Sequence, residues 1–323
     1  MKVSVALCTY NGEKFLEQQI DSILFQTLKV DEIVVCDDGS VDGTIAILEN
    51  YRLKNPDIFK IYKNEVNLRS VKNFEKAIAL CSGALIFLSD QDDIWVKNKV
   101  EKYVEFFENH PAIDVLASNG FCIDEHATVH DKYSIWDVPQ FLKEKNIAFN
   151  YYTFISFLSN IATGSTMAFR KKIVPEIIPI PELKDFHHDE WIGLLSAKNN
   201  SFELLNEKYY YYRIHSNQQV GGVFFDKNDV VKNKFIEIFD INNLDYSFSS
   251  IKSKIKRLII SYKKNINLSE LNTAHQKYFL ENTVQIKDEI LKMNALMKEK
   301  YYFRNLFISF TDKILNKRQL PFK

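Results

Sequence analysis

The sequence predicts an α/β fold: a mostly parallel sheet covered by helices on both faces, followed by a helical C-terminal region. Three observations carry this expectation. Short, continuously apolar runs alternate with amphipathic stretches through the first third of the chain. Polar and acidic clusters fall where the apolar runs stop. After Gly221-Gly222 the composition shifts to Lys, Ile, Asn and Phe at helical spacing. Strands buried on both faces read as unbroken apolar runs, and their alternation with helices builds parallel βαβ units.

The elements follow in order. Val3 to Cys8 reads as a buried strand, and Asn11 stands where it could cap a helix whose face is Phe15, Leu16, Ile20, Ile23 and Leu24. Glu32 to Cys36 is a second strand ending in Asp37-Asp38-Gly39-Ser40, with Ser40 placed to cap a helix through Ile45, Leu48 and Tyr51. Ile58 to Tyr62 is a third strand; Phe74, Ala77, Ile78 and Cys81 mark a helix stopped by Gly83. Ala84 to Ser89 is a fourth strand that runs into Asp90. Val96, Val100, Val104 and Phe107 give the next helical face, ended by Pro111, and Ile113 to Ala117 a fifth strand. Further on, Thr163 to Arg170 reads as a loop entering a strand, Asp189 to Ala197 as a helix and Lys208 to Ile214 as a strand. We place the boundary near Phe225, giving a catalytic-type domain over 1–225 and a helical region over 226–323.

Composition narrows the classes. A hydrophobic share of 46% and a charged share of 26% are those of a globular protein, not of a disordered or disulfide-built one. The 42 basic and 42 acidic residues are unevenly placed: residues 226–323 hold 19 basic against 11 acidic. An acidic body with a basic tail suits a tail that meets an anionic surface or partner, and no nucleic-acid partner is expected. The four cysteines show no CxxC spacing and read as buried free thiols of a reducing compartment. The N-terminal apolar run is short for a signal peptide, and no stretch reaches the roughly 20 apolar residues of a bilayer span. The expectation is a cytoplasmic protein, with peripheral contact at the inner face of a membrane left open. Ile255, Leu258, Ile259 and Tyr262 beside Lys254, Lys256, Arg257, Lys263 and Lys264 form a basic amphipathic stripe, and Tyr302, Phe303, Leu306, Phe307, Phe310, Ile314 and Leu315 repeat it. Such stripes pack against the body of the protein or a second subunit, or lie on an anionic membrane.

Ligands of open α/β sheets collect beyond the carboxyl ends of the strands. Thr9-Tyr10-Asn11, Asp37 to Ser40 and Asp90 to Asp93 should therefore converge. Asp90-Gln91-Asp92-Asp93 sets three carboxylates within four residues, which repel unless a cation or solvent relieves them. Magnesium commonly takes one or two carboxylates plus substrate phosphate oxygens; the alternative is a solvated acidic turn before a helix. Asp37-Asp38-Gly39-Ser40 is either a plain turn or a contact for base and ribose, with Asn67, Lys72 and Asn73 near enough to join it. His187-His188-Asp189-Glu190-Trp191 offers a general base or merely an acidic helix start. Arg213 and His215 share one face of a strand, suited to phosphate or to a surface ion pair. The absence of GxGxxG, GxxxxGK[ST] and GxSxG patterns argues against a dinucleotide dehydrogenase, a P-loop kinase and an α/β hydrolase.

Taken in order, Thr9-Tyr10-Asn11-Gly12 with Phe15-Leu16 and Gln26, and Asp37-Asp38-Gly39-Ser40 with Asp42 and Thr44, open a pattern. Asp90-Gln91-Asp92-Asp93-Ile94-Trp95, Thr163-Gly164-Ser165-Thr166, His188-Asp189 and Tyr212-Arg213-Ile214-His215 with Gln218 complete it. The chain resembles bacterial glycosyltransferase family 2 enzymes of the GT-A fold, most of all their rhamnosyltransferase-like members, over about two thirds of its length. The resemblance implies an inverting, metal-dependent transfer of a sugar from a nucleoside-diphosphate donor, dTDP- or UDP-linked, to a cell-surface polysaccharide or lipid-linked precursor. It implies that Thr9, Tyr10, Glu13 and Asp38 line the nucleotide pocket, with Lys72 near the base. Asp90 and Asp92 would hold Mg²⁺ or Mn²⁺, Asp189 would be the base with Glu190 as the alternative, and Arg213 and His215 would meet the diphosphate. The competing readings are a GT-A module that binds sugar nucleotides or glycans without catalysis, and a sugar nucleotidyltransferase.

Overall fold

The computed structural model describes residues 1–216, 218, 222–240, 247–271, 274–304 and 322. The expectations for Gly221 and for Leu306, Phe307, Phe310, Ile314 and Leu315 lie outside these residues. The chain forms two compact units, Met1–Asp137 with Ala162–Lys227, and Val138–Ile161 with Asn228–Lys323.

The first unit runs β1 (Val3–Thr9), α1 (Leu16–Leu24), β2 (Glu32–Asp37), α2 (Thr44–Lys54), β3 (Phe59–Lys63), α3 (Arg69–Leu80), β4 (Leu85–Ser89), β5 (Ile94–Trp95), α4 (Lys99–Asn109), β6 (Val115–Ile123), β7 (Val129–His130) and β8 (Lys132–Ser134). The chain then contributes α5 (Val138–Glu144) and α6 (Tyr151–Thr153) to the second unit. It returns to the first with β9 (Ala168–Arg170), α7 (Val174–Ile177), α8 (His188–Lys198), β10 (Phe202–Arg213) and β11 (Phe224–Asp226).

One nine-stranded sheet follows the order β3-β2-β1-β4-β9-β6-β10-β5, with β7 on β6, and β11 pairs β8 separately. From β3 to β4 every pairing is parallel, and β6 and β10 are parallel too. Strand β9 is antiparallel to both β4 and β6, and β5 is antiparallel to β10, so the sheet is mixed where a largely parallel one was expected. Every residue of β1, β2 and β4 is buried, the signature of strands covered on both faces. Phe87, Trp95, Tyr103 and Phe107 sit in the same core, each contributing about 1.5–3 kcal/mol of burial.

Several local expectations change. Helix α1 begins at Leu16, not behind Asn11: Asn11 adopts φ 48° and its Oδ1 accepts from Val41 N at 2.9 Å. Helix α2 begins at Thr44, whose N–H is held by Asp42 Oδ1 at 3.0 Å, while the Ser40 hydroxyl accepts from Asn11 N. Strand β6 extends to Ile123 and β10 starts at Phe202, both longer than their apolar runs, because buried Ser118 and Asn119 continue the ladder and β10 carries two register shifts. The four cysteines are buried and free.

The second unit is helical. Besides α5 and α6 it contains α9 (Asp229–Phe239), α10 (Phe248–Glu270) and α11 (Gln276–Lys300). Helices α10 and α11 pack along each other. Ile255, Leu258 and Ile259 of the basic stripe are buried, and Lys254 is buried in an ion pair with Glu289 at 3.4 Å. That stripe therefore packs, and only lysines such as Lys256 and Lys263 stay exposed. No helix among the described residues is long and apolar enough to cross a membrane.

Candidate active site

Strand ends β1, β2 and β4, the end of β10 and the start of α8 border one cavity of about 540 Å³ in the first unit. Of the residues expected at a site, Thr9, Tyr10, Asp38, Asp90, Asp92, Asp189, Arg213 and His215 line it. Glu13, Lys72 and Glu190 do not. The Glu13 carboxylate accepts from Gly43 N at 2.6 Å and so fastens the start of α2. Lys72 turns to Glu75 at 2.9 Å and to the carbonyl of Ile180 at 3.0 Å. Glu190 follows Asp189 on a helix, where one step swings a side chain by about 100°.

The turn after β2 is held by its own acids. Asp37 accepts from Ser40 N at 2.9 Å, Ser40 Oγ at 2.6 Å and Thr9 Oγ1 at 2.8 Å. Asp38 accepts from Leu68 N at 2.7 Å, Arg69 N at 2.8 Å and Asn64 Nδ2 at 2.8 Å, which fixes the loop into α3. Opposite, the Gln91 amide clamps Tyr10 by both its N–H, at 2.8 Å, and its carbonyl, at 3.0 Å. A Cβ at position 12 would meet Gln91 Oε1 at 2.2 Å, so a larger residue there pushes the Gln91 amide out of its clamp.

The acids after β4 are differently placed. Burial, and then the charges of Asp92 and Asp189, push the Asp90 carboxyl up to about 7. Burial also raises Asp93 well above the carboxylate range, although its Oδ1 accepts from Arg213 N at 2.9 Å. Asp92 Oδ2 lies 2.9 Å from His215 Nε2, and the Asp92 carbonyl accepts from Arg213 Nε at 2.7 Å. The other Arg213 bonds go to the carbonyls of Asp124 and Glu125 and to Gln18 Oε1, and its guanidinium lies 4.5 Å from the Phe15 ring centre. Arg213 thus makes three side-chain bonds to Asp92 and the 124–125 loop and a fourth to Gln18. A hard divalent cation prefers oxygen ligands and relieves such repulsion, so Asp90 and Asp92 fit one. Among the described residues no group of three or more His, Cys, Asp or Glu side chains forms a metal cage.

Asp189 opens α8. Its Oδ2 accepts from Gly164 N at 3.1 Å and its Oδ1 from Glu190 N at 2.6 Å, while burial raises it to about 6. His188 is stacked on Phe74 at 3.9 Å, and burial lowers it to about 3, so the ring is neutral. Its Nε2 would stand 2.5 Å from a Cβ at position 164, which makes Gly164 necessary.

Two further residues escaped the sequence reading. Arg69 lines the cavity with φ 61°, a left-handed backbone that a branched or long side chain seldom adopts. Lys99 is fully buried beneath the acidic loop. Its signal was present: a lysine at the spacing of the α4 apolar stripe beside Val100, Val104 and Phe107.

Comparison with known proteins supplies the family and the fold. EpsE of Bacillus subtilis, a putative glycosyltransferase, is 35% identical over 124 residues, 38% of this chain and 45% of EpsE. The chain thus spans less than half of that relative. An uncharacterized glycosyltransferase of Haemophilus influenzae is 27% identical over 325 residues, 91% of this chain and 98% of the relative. The dTDP-rhamnosyl transferase RfbG of Shigella flexneri is 27% identical over 231 residues, 67% of this chain and 74% of RfbG. Among solved structures, S. aureus TarS 1–349 in complex with UDP-GlcNAc superposes with TM-score 0.57 at 21% identity, covering 92% of this chain and 84% of TarS. Mannosyltransferase PcManGT of Pyrobaculum calidifontis, in complex with GDP-Man and Mn²⁺, gives 0.52 at 13% identity over 97% of this chain and 80% of that one. These superpositions identify the fold as GT-A with added helices. The family model for glycosyl transferase family 2 matches residues 4–178, more than half of the chain and with it the strand ends that carry Asp38, Asp90 and Asp92; the chain belongs to that family.

Proposed function

We propose that this protein transfers a sugar from a nucleoside-diphosphate donor to an acceptor hydroxyl with inversion at the anomeric carbon. The observation that carries the reading is the convergence of the Asp90–Asp92 loop with Asp189, about a hundred residues further along the chain, on one cavity. Thr9, Tyr10, Asp38 and Arg69 bind the nucleotide end, and Asp90 and Asp92 hold Mg²⁺ or Mn²⁺. When bound, that ion supplies positive charge for the departing diphosphate. His215 and Arg213 hold Asp92 in place.

Asp189 accepts the acceptor's hydroxyl proton as the oxygen attacks the anomeric carbon. The bond from that carbon to the diphosphate oxygen breaks, and its electron pair leaves with the diphosphate. An acid raised to about 6 is ionised near neutral pH yet remains basic enough to take a proton. The Gly164 N–H and the Glu190 N–H orient it.

The similarity to RfbG puts dTDP-rhamnose first among donors to test, with a polysaccharide or lipid-linked glycan as acceptor. The exposed lysines of α10 are the candidates for peripheral membrane contact, to be checked by sedimentation with anionic vesicles. The deciding experiment incubates the protein with UDP-GlcNAc, UDP-glucose or dTDP-rhamnose and Mn²⁺. Release of nucleoside diphosphate that stops with a chelator supports the reading; pyrophosphate, or no product from any donor, sinks it.

A further inference from the structure

Helix α4 begins directly behind the acidic loop, and two of its side chains reach across to another part of the first unit. Lys99 is fully buried. Its Nζ donates to the Ser165 carbonyl at 2.8 Å and lies 4.2, 5.4 and 5.7 Å from the ring centres of Trp95, Tyr210 and Tyr103. One turn further along the same face, the Tyr103 hydroxyl donates to the Thr166 carbonyl at 2.6 Å. Both acceptors belong to the tight turn Gly164–Thr166, closed by Met167 N to the Gly164 carbonyl at 2.7 Å. The Gly164 N–H at the head of that turn is the one that donates to Asp189 Oδ2.

A buried ammonium is costly to keep, and an apolar side chain of the same length would fill the space among three rings with less desolvation. An apolar residue would replace neither the charge that faces Asp93 and Asp90 nor the directed bond to the Ser165 carbonyl, and only the bond reaches the turn. We infer that Lys99 is a positioning residue which, together with Tyr103, braces the Gly164–Thr166 turn from below and so sets Asp189 relative to the acidic loop. The strut joins the two halves of the site: α4 is continuous with the segment carrying Asp90 and Asp92, and the turn is bonded to the base. The inference rests on the transferase reading for its consequence, but the bracing itself does not.

The test uses the full chain with Lys99→Met, which keeps length and removes the donor, and Tyr103→Phe, which removes one hydroxyl. With whichever of UDP-GlcNAc or dTDP-rhamnose the wild type turns over, kcat should fall at least tenfold in Lys99→Met and about threefold in Tyr103→Phe. Binding of UDP or dTDP with Mn²⁺, by calorimetry, should stay within twofold in both. Thermal stability of Lys99→Met should fall, since the Ser165 carbonyl loses its donor and Asp93 and Asp90 lose the cation facing them, so turnover is compared below the melting range of the variant. Hydrogen exchange at the Gly164 amide gives a readout independent of activity: it should quicken at least tenfold in Lys99→Met while β1 and β4 are unchanged. Should Lys99→Met fail to fold, Tyr103→Phe carries both measurements. Unchanged exchange at Gly164, or turnover within twofold of wild type, overturns the inference. A wild type that releases no nucleoside diphosphate sinks the transferase reading alone, and exchange still decides the bracing.

Discussion

Two acidic pairs stand at the ends of strands in the same sheet, and they behave in opposite ways. After β2, Asp37 and Asp38 are surrounded by donors: backbone N–H groups of residues 39, 40, 68 and 69, two hydroxyls and an asparagine amide. After β4, Asp93 is buried and Asp90 half-buried beside Asp92, and both are driven toward protonation. The first pair has its charge spread over the loops it orders. The second lacks enough compensation for its charge, so ionising it costs stability and the group stays available to a ligand. Carboxylates that look alike in sequence are therefore separated by one question: whether the protein itself has already satisfied them.

The largest effect should come from Asp189, whose carboxyl burial also pushes up, to about 6, although two backbone N–H groups orient it. Asp189→Asn keeps the shape and should lower kcat by about 10²–10⁴-fold, the usual worth of a general base. UDP affinity in the presence of Mn²⁺ should change little. In the wild type kcat should rise with pH through about 6, where Asp189 loses its proton. A substituted enzyme with near wild-type turnover would return the role to Glu190 and remove Asp189 from the chemistry.

Next in size is the pH response of the metal-free protein. Asp90 binds its proton more tightly folded, at about 7, than at its ordinary 3.8. Its contribution to stability is thus intact at low pH and drains away as pH climbs from about 4 to 7. The melting temperature should fall across that window, Asp90→Asn should flatten the slope, and Mn²⁺ should restore stability at pH 7 by binding the folded form. An Asp90→Asn protein with the wild-type slope would show that the second pair carries no stored repulsion.

The contrast also explains what the sequence could reveal. Unbroken apolar runs at Val3–Cys8, Glu32–Cys36 and Ala84–Ser89 disclosed β1, β2 and β4, because burial on both faces demands such runs. Where polar residues are buried in strands, as at Ser118 and Asn119, the pattern stops before the strand does. The convergence of Asp38, Asp90 and Asp92 was legible because parallel strands deliver their carboxyl ends to one rim. Which acids were already satisfied was not, since the donors lie about thirty residues away: Leu68 and Arg69 for Asp38, Thr9 for Asp37. Lys72 illustrates the same limit. Its pairing with Glu75 follows the i,i+3 spacing of α3, whereas its bond to the Ile180 carbonyl is one no local spacing announces.

On the satisfied side, Asp37→Ala should act on stability before chemistry. It strands the Thr9 hydroxyl and the Ser40 N–H, and donors without partners cost about 1–3 kcal/mol. We expect about 2 kcal/mol of destabilisation in urea, with Mn²⁺ binding by the acidic loop retained. Lost metal binding with intact stability would erase the distinction between the pairs.

The smallest effect separates two roles within one residue. The Arg69 N–H completes the Asp38 carboxylate, while its side chain faces the cavity from a backbone with φ 61°. A left-handed conformation costs a non-glycine residue about 1 kcal/mol, and a glycine there gives part of that back through the freedom of its unfolded chain. Arg69→Gly should therefore raise stability by less than about 1 kcal/mol, as the N–H to Asp38 is kept. UDP affinity should drop about fivefold, the worth of one exposed charge-assisted contact of about 1 kcal/mol. Opposite signs for folding and binding are the mark of a strained residue retained for its ligand. If Arg69→Gly weakens the fold and leaves UDP binding unchanged, Arg69 belongs wholly with the satisfied pair, as part of its scaffold.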